Sequence, residues 1–376
     1  MTMPNVLYNG PGNWPDADKL MANYNYLENI ATAYTSFRNR IINGDMRIDQ
    51  RNEGASVTQT TGNIYPVDRW RTYGSVTSKF TAQRNYGISP PVGFSNHLGF
   101  NSLSAYSVGA AEVFTVTHAM EGSSVSDFQW GTASAKTVTL SFWFRSNMAG
   151  GTTFGGSLQN GAGTRSYPFT FASVTTNTWE YKTIMIPGDQ TGTWATDSTA
   201  GMVLRLSLGA GSTFSGTAGA WAAGDYRSAT GAASIVGTNA ATYYITGVQL
   251  ETGTVATPFE LRPMPIELQL CQRYLEKSYA VGTVPATVTN SGVVWGSRQN
   301  GGFDIWTPFR VIKNATPTMV YYSPQTGTVA RVRNYATPGD EVATNPIVCD
   351  SSFYVEGTTG TVGHRIGVHF TAEAEI

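Results

Sequence analysis

The 376-residue chain is expected to be mainly β: a large antiparallel β-sandwich, a short N-terminal helix before it and a smaller C-terminal β-sandwich or barrel after it. Three observations predict this. Charged residues make up 13% of the chain, about half the usual share, so few Lys and Glu are on hand to clothe exposed helices. The 41 Gly, 19 Tyr and 17 Phe, with abundant Thr and Ser, suit pleated strands joined by many turns. Strand-like segments separated by Gly/Ser/Thr loops recur without alternating with helices, which argues for a two-sheet sandwich and against a parallel α/β sheet.

Residues 1–39 read as an arm and a helix. Turn residues Asn9-Gly10-Pro11-Gly12 and Trp14-Pro15 punctuate the arm. Asp16 or Asp18 can cap a helix running to residue 38. Leu20, Tyr24, Leu27, Ala31 and Tyr34 form an a/d seam of about two heptads. A seam that short needs a partner. Two fit: the chain's own sandwich, or further copies around the axis of a homotrimer.

The sandwich spans residues 40–262. Ile41–Ile48 reads as a strand with a turn inside it. Strand candidates follow at 67–72, 78–85, 112–119, 136–146, 179–186, 202–208 and 242–251. Alternation puts Val138, Leu140, Phe142 and Phe144 on one face. Trp70, Trp143 and Trp179 sit inside strand patterns and are expected in the core. Gly150–Gly156 reads as a loop or edge element. Residues 263–278 form a helical connector, with Pro263 and Pro265 at its start and Ile266, Leu270 and Tyr274 on one face. Residues 279–376 form the C-terminal β domain, with candidates at 292–297, 303–313, 318–322, 328–334, 352–356 and 364–371.

Net charge is −1, which excludes nucleic acid as the main partner and a polybasic membrane patch. No run approaches 18 apolar residues, so no membrane insertion is expected, and Met1-Thr2-Met3-Pro4-Asn5 does not open a signal peptide. Cys271 and Cys349 are expected to be free thiols. His97, His118, His364 and His369 show no metal-binding spacing, and His364 and His369 are expected on opposite faces of a strand. No nucleophile elbow or phosphate loop occurs. Asp189, Asp197, Asp225 and Glu251 are candidate glycan-cleaving carboxylates, but their spacing pairs no two of them.

Sugar binding needs aromatic faces with polar side chains for the hydroxyls. Trp194, Trp221, Asp225, Tyr226 and Asn239 are the candidates in the sandwich. Trp221 lies among small residues in Ala220–Tyr226, as an exposed loop aromatic would, yet packing on a neighbouring subunit or on its own sandwich fits equally. Trp295, Trp306, Tyr321 and Tyr322 are the candidates in the last domain.

Four motifs carry a resemblance. Ile41-Ile42-Asn43-Gly44-Asp45-Met46 with Gln50-Arg51 and Tyr65-Pro66-Val67-Asp68-Arg69-Trp70 resembles the opening of a module found in bacteriophage fibre proteins. Gly188–Trp194 is similar to its middle, Tyr243–Glu251 with Ala256–Glu260 to its close, and Leu270–Ser278 to the connector after it. The resemblance covers roughly residues 40–280. It implies a jelly-roll β-sandwich akin to carbohydrate-binding modules, a homotrimer, and a place on a virion as a tail or head fibre, made in the host cytoplasm. Residues 1–39 would dock other virion proteins, and the distal part would meet a host-surface glycan or protein. No enzyme activity and no cofactor are expected beyond calcium, for which Asp45 and Glu251 on the opening and closing strands are candidates. A decoration protein with structural contacts and a glycan-cleaving spike are the alternatives.

Overall fold

A computed structural model describes residues 37–298, 305–357 and 361–376. The expected helical seam of Leu20, Tyr24, Leu27, Ala31 and Tyr34 lies outside the described residues. The rest is mainly β and opens with a jelly-roll sandwich. One sheet has six antiparallel strands in the order Val57–Thr58, Phe80–Arg84, Leu98–Ser102, Thr242–Thr252, Val138–Ser146 and Glu180–Ile186. The other has seven: Ala222–Ala223, Arg165–Ala172, Thr153–Asn160, Ala200–Ala210, Val113–Glu121, Trp70–Gly74 and Ile64–Val67.

Alternating side chains from both sheets fill the space between them. Val138, Leu140, Phe142 and Phe144 are all fully buried, as their spacing predicts. Phe144 meets Phe154 and Phe171 of the other sheet at ring-centroid distances of 4.7 and 5.0 Å. Such aromatic contacts add to the area buried, at about 0.5–1.5 kcal/mol each.

Several expectations are corrected. Thr153–Asn160 is an interior strand, not a loop or edge. Its Gly156 is required because a Cβ there would meet the Phe169 ring at 2.6 Å. The 67–72 strand is two strands, Ile64–Val67 and Trp70–Gly74, with Arg69 at φ 70° in the turn between them. Ile41–Ile48 is not a strand: Asn43 and Met46 take φ of 57° and 61°. The Asn43 side chain replaces the missing ladder, donating to the carbonyls of Ile48 and Asp68 and accepting from the Ile48 amide. The connecting helix spans Met264–Gln272 and buries Glu267, Cys271 and Gln272, leaving Ile266 and Leu270 half-buried. Glu267 is drawn inward because it accepts from the Asn43 amide and pairs with Arg262.

Residues 275–277, expected in the connector, are a strand that pairs with Arg365–Glu373. Among the described residues eight strands form the C-terminal module, including Gly339–Val348, for which the sequence shows no strand pattern. Arg365–Glu373 is its hub, pairing with four others. Ile305, Phe353, Val355, Ile366, Val368 and Phe370 form its core. The modules are tied by charge: Arg69 pairs with Glu375, and Glu121 accepts from Arg273 and from the Tyr274 hydroxyl. Both cysteines are free, Cys271 buried and Cys349 exposed.

Candidate functional site

The period of two that buries Phe142 and Phe144 turns Trp143 to the opposite side of its sheet. Trp143 is therefore not a core residue, and neither is Trp179, which precedes its strand and is half-buried; only Trp70 is fully buried as expected. Trp143 stands in register with Tyr181 on one neighbouring strand and Thr246 on the other. The two rings lie 5.5 Å apart, and Tyr181 is 44% exposed.

Just past Thr246 the strand Thr242–Thr252 breaks register with its neighbour, as at a β-bulge. Gly247 sits in that break with φ 61°, and a Cβ there would meet the Phe94 ring at 2.6 Å and Trp143 at 3.2 Å. Glycine is what lets the two rings close over the backbone. Phe94 packs edge-on to Phe259 at 5.2 Å. Together Phe94, Trp143, Tyr181 and Phe259, with Gly247, Ala256, Thr257 and Pro258, line an open groove of about 410 Å³.

Glu251 braces the groove from the same outer face of the sheet. It accepts from the Thr257 amide and hydroxyl at 2.8 and 2.6 Å and from Gln249 at 2.8 Å, and it lies 3.5 Å from Arg38. It thereby pins the loop that carries Phe259. The opening segment braces the same strand: Arg40 donates to the Leu250 carbonyl and Val248 to that of Gly44, each at 2.9 Å. Burial pushes the Tyr181 phenol up, so at neutral pH it keeps its proton and can donate.

The structure brings Trp194 and Trp221 together, at the end of the sandwich. They meet Trp130 at 4.8 and 5.2 Å and each other at 5.6 Å. Each indole N–H is spent on a backbone carbonyl: Trp221 on Pro187, Trp194 on Thr191, Trp130 on Lys136. Both rings are half-buried against the core. Asp225 and Tyr226 lie elsewhere, on the outer face of the seven-stranded sheet, where Asp225 pairs with Arg227 and accepts from Gln159. Asn239 is exposed on a turn.

In the last module Trp295 and Trp306 are exposed, whereas Tyr321 belongs to the core. Asp45 is tied to Arg47 at 3.2 Å, apart from the partners of Glu251. Among the described residues no group of three or more His, Cys, Asp or Glu is placed to hold a metal. Asp189 is held by Arg165, Asp197 by Thr199, Asp225 by Arg227 and Glu251 by Thr257, so the four candidate carboxylates share no partner.

No protein-family model matches the chain, and no curated protein sequence matches it. Solved structures do. The enzymatically active domain of tailspike protein 4 from bacteriophage CBA120 is 10% identical, with a TM-score of 0.31 over 57% of this chain and 21% of that one. The chain thus matches about a fifth of that protein's length. A carbohydrate-binding module, TmCBM61, solved with β-1,4-galactotriose, is 12% identical, with a TM-score of 0.28 over 57% of this chain and 99% of that one. The family 11 carbohydrate-binding module of Clostridium thermocellum, solved with a mixed-linked tetrasaccharide, is 10% identical, with a TM-score of 0.27 over 54% of this chain and 98% of that one.

Proposed function

We propose that this chain is a non-catalytic attachment protein of a bacteriophage virion, a homotrimeric fibre that binds a host-surface glycan through the groove at Trp143 and Tyr181. The groove carries the reading. It exposes aromatic faces beside the Tyr181 hydroxyl, and a sugar ring stacks on such faces through its C–H groups while its hydroxyls find that phenol. The fibre assignment is supported by the opening, middle, closing and connector motifs, in that order. Residues 1–39 are assigned to docking other virion proteins and to trimer formation.

The test is adsorption. Purified full-length protein should bind host cells and compete with the phage, and Trp143→Ala should lose both. A protein that binds capsid tightly but not cells would replace attachment with a decoration role. Release of reducing ends from host polysaccharide would replace it with glycan cleavage. A light-scattering mass unchanged on deleting residues 1–36 would remove the trimer role from that segment.

A further inference from the structure

The outer face of the seven-stranded sheet carries a different chemistry. Arg71 stands in register with Thr117, Thr117 with Arg205, and Arg205 with Ser157, making one row across four strands. Their sequence neighbours Trp70, Val116, Leu204 and Leu158 are in the core, so this row faces away from it. Two strand spacings put the Arg71 and Arg205 backbones about 10 Å apart, within reach of one small ligand. Arg227 joins the patch from the loop that crosses Arg165–Ala172, stacked 4.6 Å over Phe214.

Three guanidiniums here face one carboxylate. Asp225 is taken by Arg227, at 2.6 Å. Arg205 is left with neutral partners, the side-chain carbonyl of Gln159 and, at 3.4 Å, the Thr117 hydroxyl. Among the described residues Arg71 has no side-chain hydrogen bond or ion pair. Burial, then repulsion from Arg227 and Arg71, pushes Arg205 down to about 10, against which Asp225 alone acts. Beneath the arginines the Ser157 hydroxyl is fully buried and has no hydrogen-bond partner, which folded proteins seldom tolerate. Tyr73, two residues further along the strand of Arg71 and on the same face, sets a phenol beside the row.

We propose that this face is a second binding site, for the carboxylate of an acidic sugar, with Arg71 and Arg205 as its two cationic arms. A planar carboxylate matches the fork of a guanidinium, and it supplies the negative charge that the patch lacks. The Tyr73 phenol beside the row distinguishes the site from a bare anion trap, because a sugar brings hydroxyls of its own. It is independent of the aromatic groove, which lies on the other sheet.

The experiment is titration calorimetry on the full-length protein with trigalacturonate, 3′-sialyllactose, neutral maltotriose and sodium sulfate. At least one acidic oligosaccharide is expected to bind, more weakly as salt rises. Arg71→Gln should weaken that binding at least tenfold and move the melting temperature by no more than a few degrees, since among the described residues Arg71 makes no side-chain hydrogen bond or ion pair. Asp225→Asn should tighten it several-fold by removing the one competing carboxylate. Binding that ignores Arg71→Gln, sulfate binding without either acidic oligosaccharide, or failure of both acidic probes overturns the proposal.

Discussion

Trp143 and Tyr181 face each other from neighbouring antiparallel strands with ring centroids 5.5 Å apart, on the side of the sheet away from the core. Core aromatics of this sandwich are covered by the opposite sheet; among the described residues this pair is only half-covered, with Tyr181 44% exposed. Trp143→Ala or Tyr181→Ala should therefore weaken glycan binding at least tenfold, about 1.4 kcal/mol or more. Thermal unfolding should move by no more than a few degrees. Trp221→Ala is the contrast, because that ring packs on Trp130, Trp194 and Tyr167. It should lower stability and leave glycan affinity in place. Calorimetry and thermal scans on the three variants separate the two roles.

Gly247 governs the shape of the groove. An alanine there must adopt φ near 61° and crowd Phe94. Gly247→Ala should cost about 1–3 kcal/mol by denaturant unfolding and should weaken glycan binding as well, since Phe94 is pushed off Phe259. An alanine variant with wild-type stability and affinity would mean that the break in register does not set the wall.

The buried histidines predict a pH dependence. Burial first, then the charges of Arg69 and Arg262, hold His118 well below the ordinary histidine value, and burial also lowers His97 and His369. Below about pH 6.5 the unfolded chain takes up protons that these folded imidazoles refuse. Stability present above that pH is therefore lost as pH falls, by up to about 1.4 kcal/mol per unit for each histidine. Asp45 works the other way, because burial pushes its carboxyl up to about 6 and protonation then favours the folded state. His118→Phe isolates the effect: its stability should fall less steeply than wild type between pH 7 and 5. Equal slopes in urea titrations would contradict it.

How much was legible follows from what each feature depends on. The strand at Val138–Ser146 shows in its own alternation, so it and its buried face were readable. Thr153–Asn160 was not, because Phe-Gly-Gly-Ser has the composition of a loop, and only the Phe169 ring packed over Gly156 makes glycine right for a strand. Trp143 lay between the two cases. The alternation already set it opposite Phe142 and Phe144, but whether that side is covered is decided by residues elsewhere in the chain. The Arg71–Arg205 row was beyond reach, since register across strands alone brings residues 71, 117, 157 and 205 into line. The second half of the expected helical connector differs, because Leu275–Lys277 becomes a strand only when Arg365–Glu373 arrives to pair with it.

The clasp between Arg69 and Glu375 predicts how the two modules depend on each other. Arg69 is buried in the turn before Trp70, donates to the Ala119 carbonyl and lies over the Tyr274 ring, while Glu375 reaches it from beyond the last strand. Burial opposes the charge on Arg69, and Glu375 together with Tyr274, Tyr65 and Cys271 outweighs that opposition. Removing one partner strands the other. Glu375→Ala should thus cost about 3–5 kcal/mol, although the pair as a whole adds little to stability, because both charges were dehydrated to form it. The double variant Arg69→Met with Glu375→Leu should recover part of that loss, since apolar side chains of similar size carry no such penalty, while Arg51 loses Glu375 but keeps Asp68 and Glu373. A double-mutant cycle by denaturant unfolding gives the coupling. If Glu375→Ala costs under about 1 kcal/mol, the clasp is solvated in solution and the modules are joined through the remaining contacts, Arg51 with Glu373, Gln50 with Leu275 and Lys277, and Glu121 with Arg273 and Tyr274.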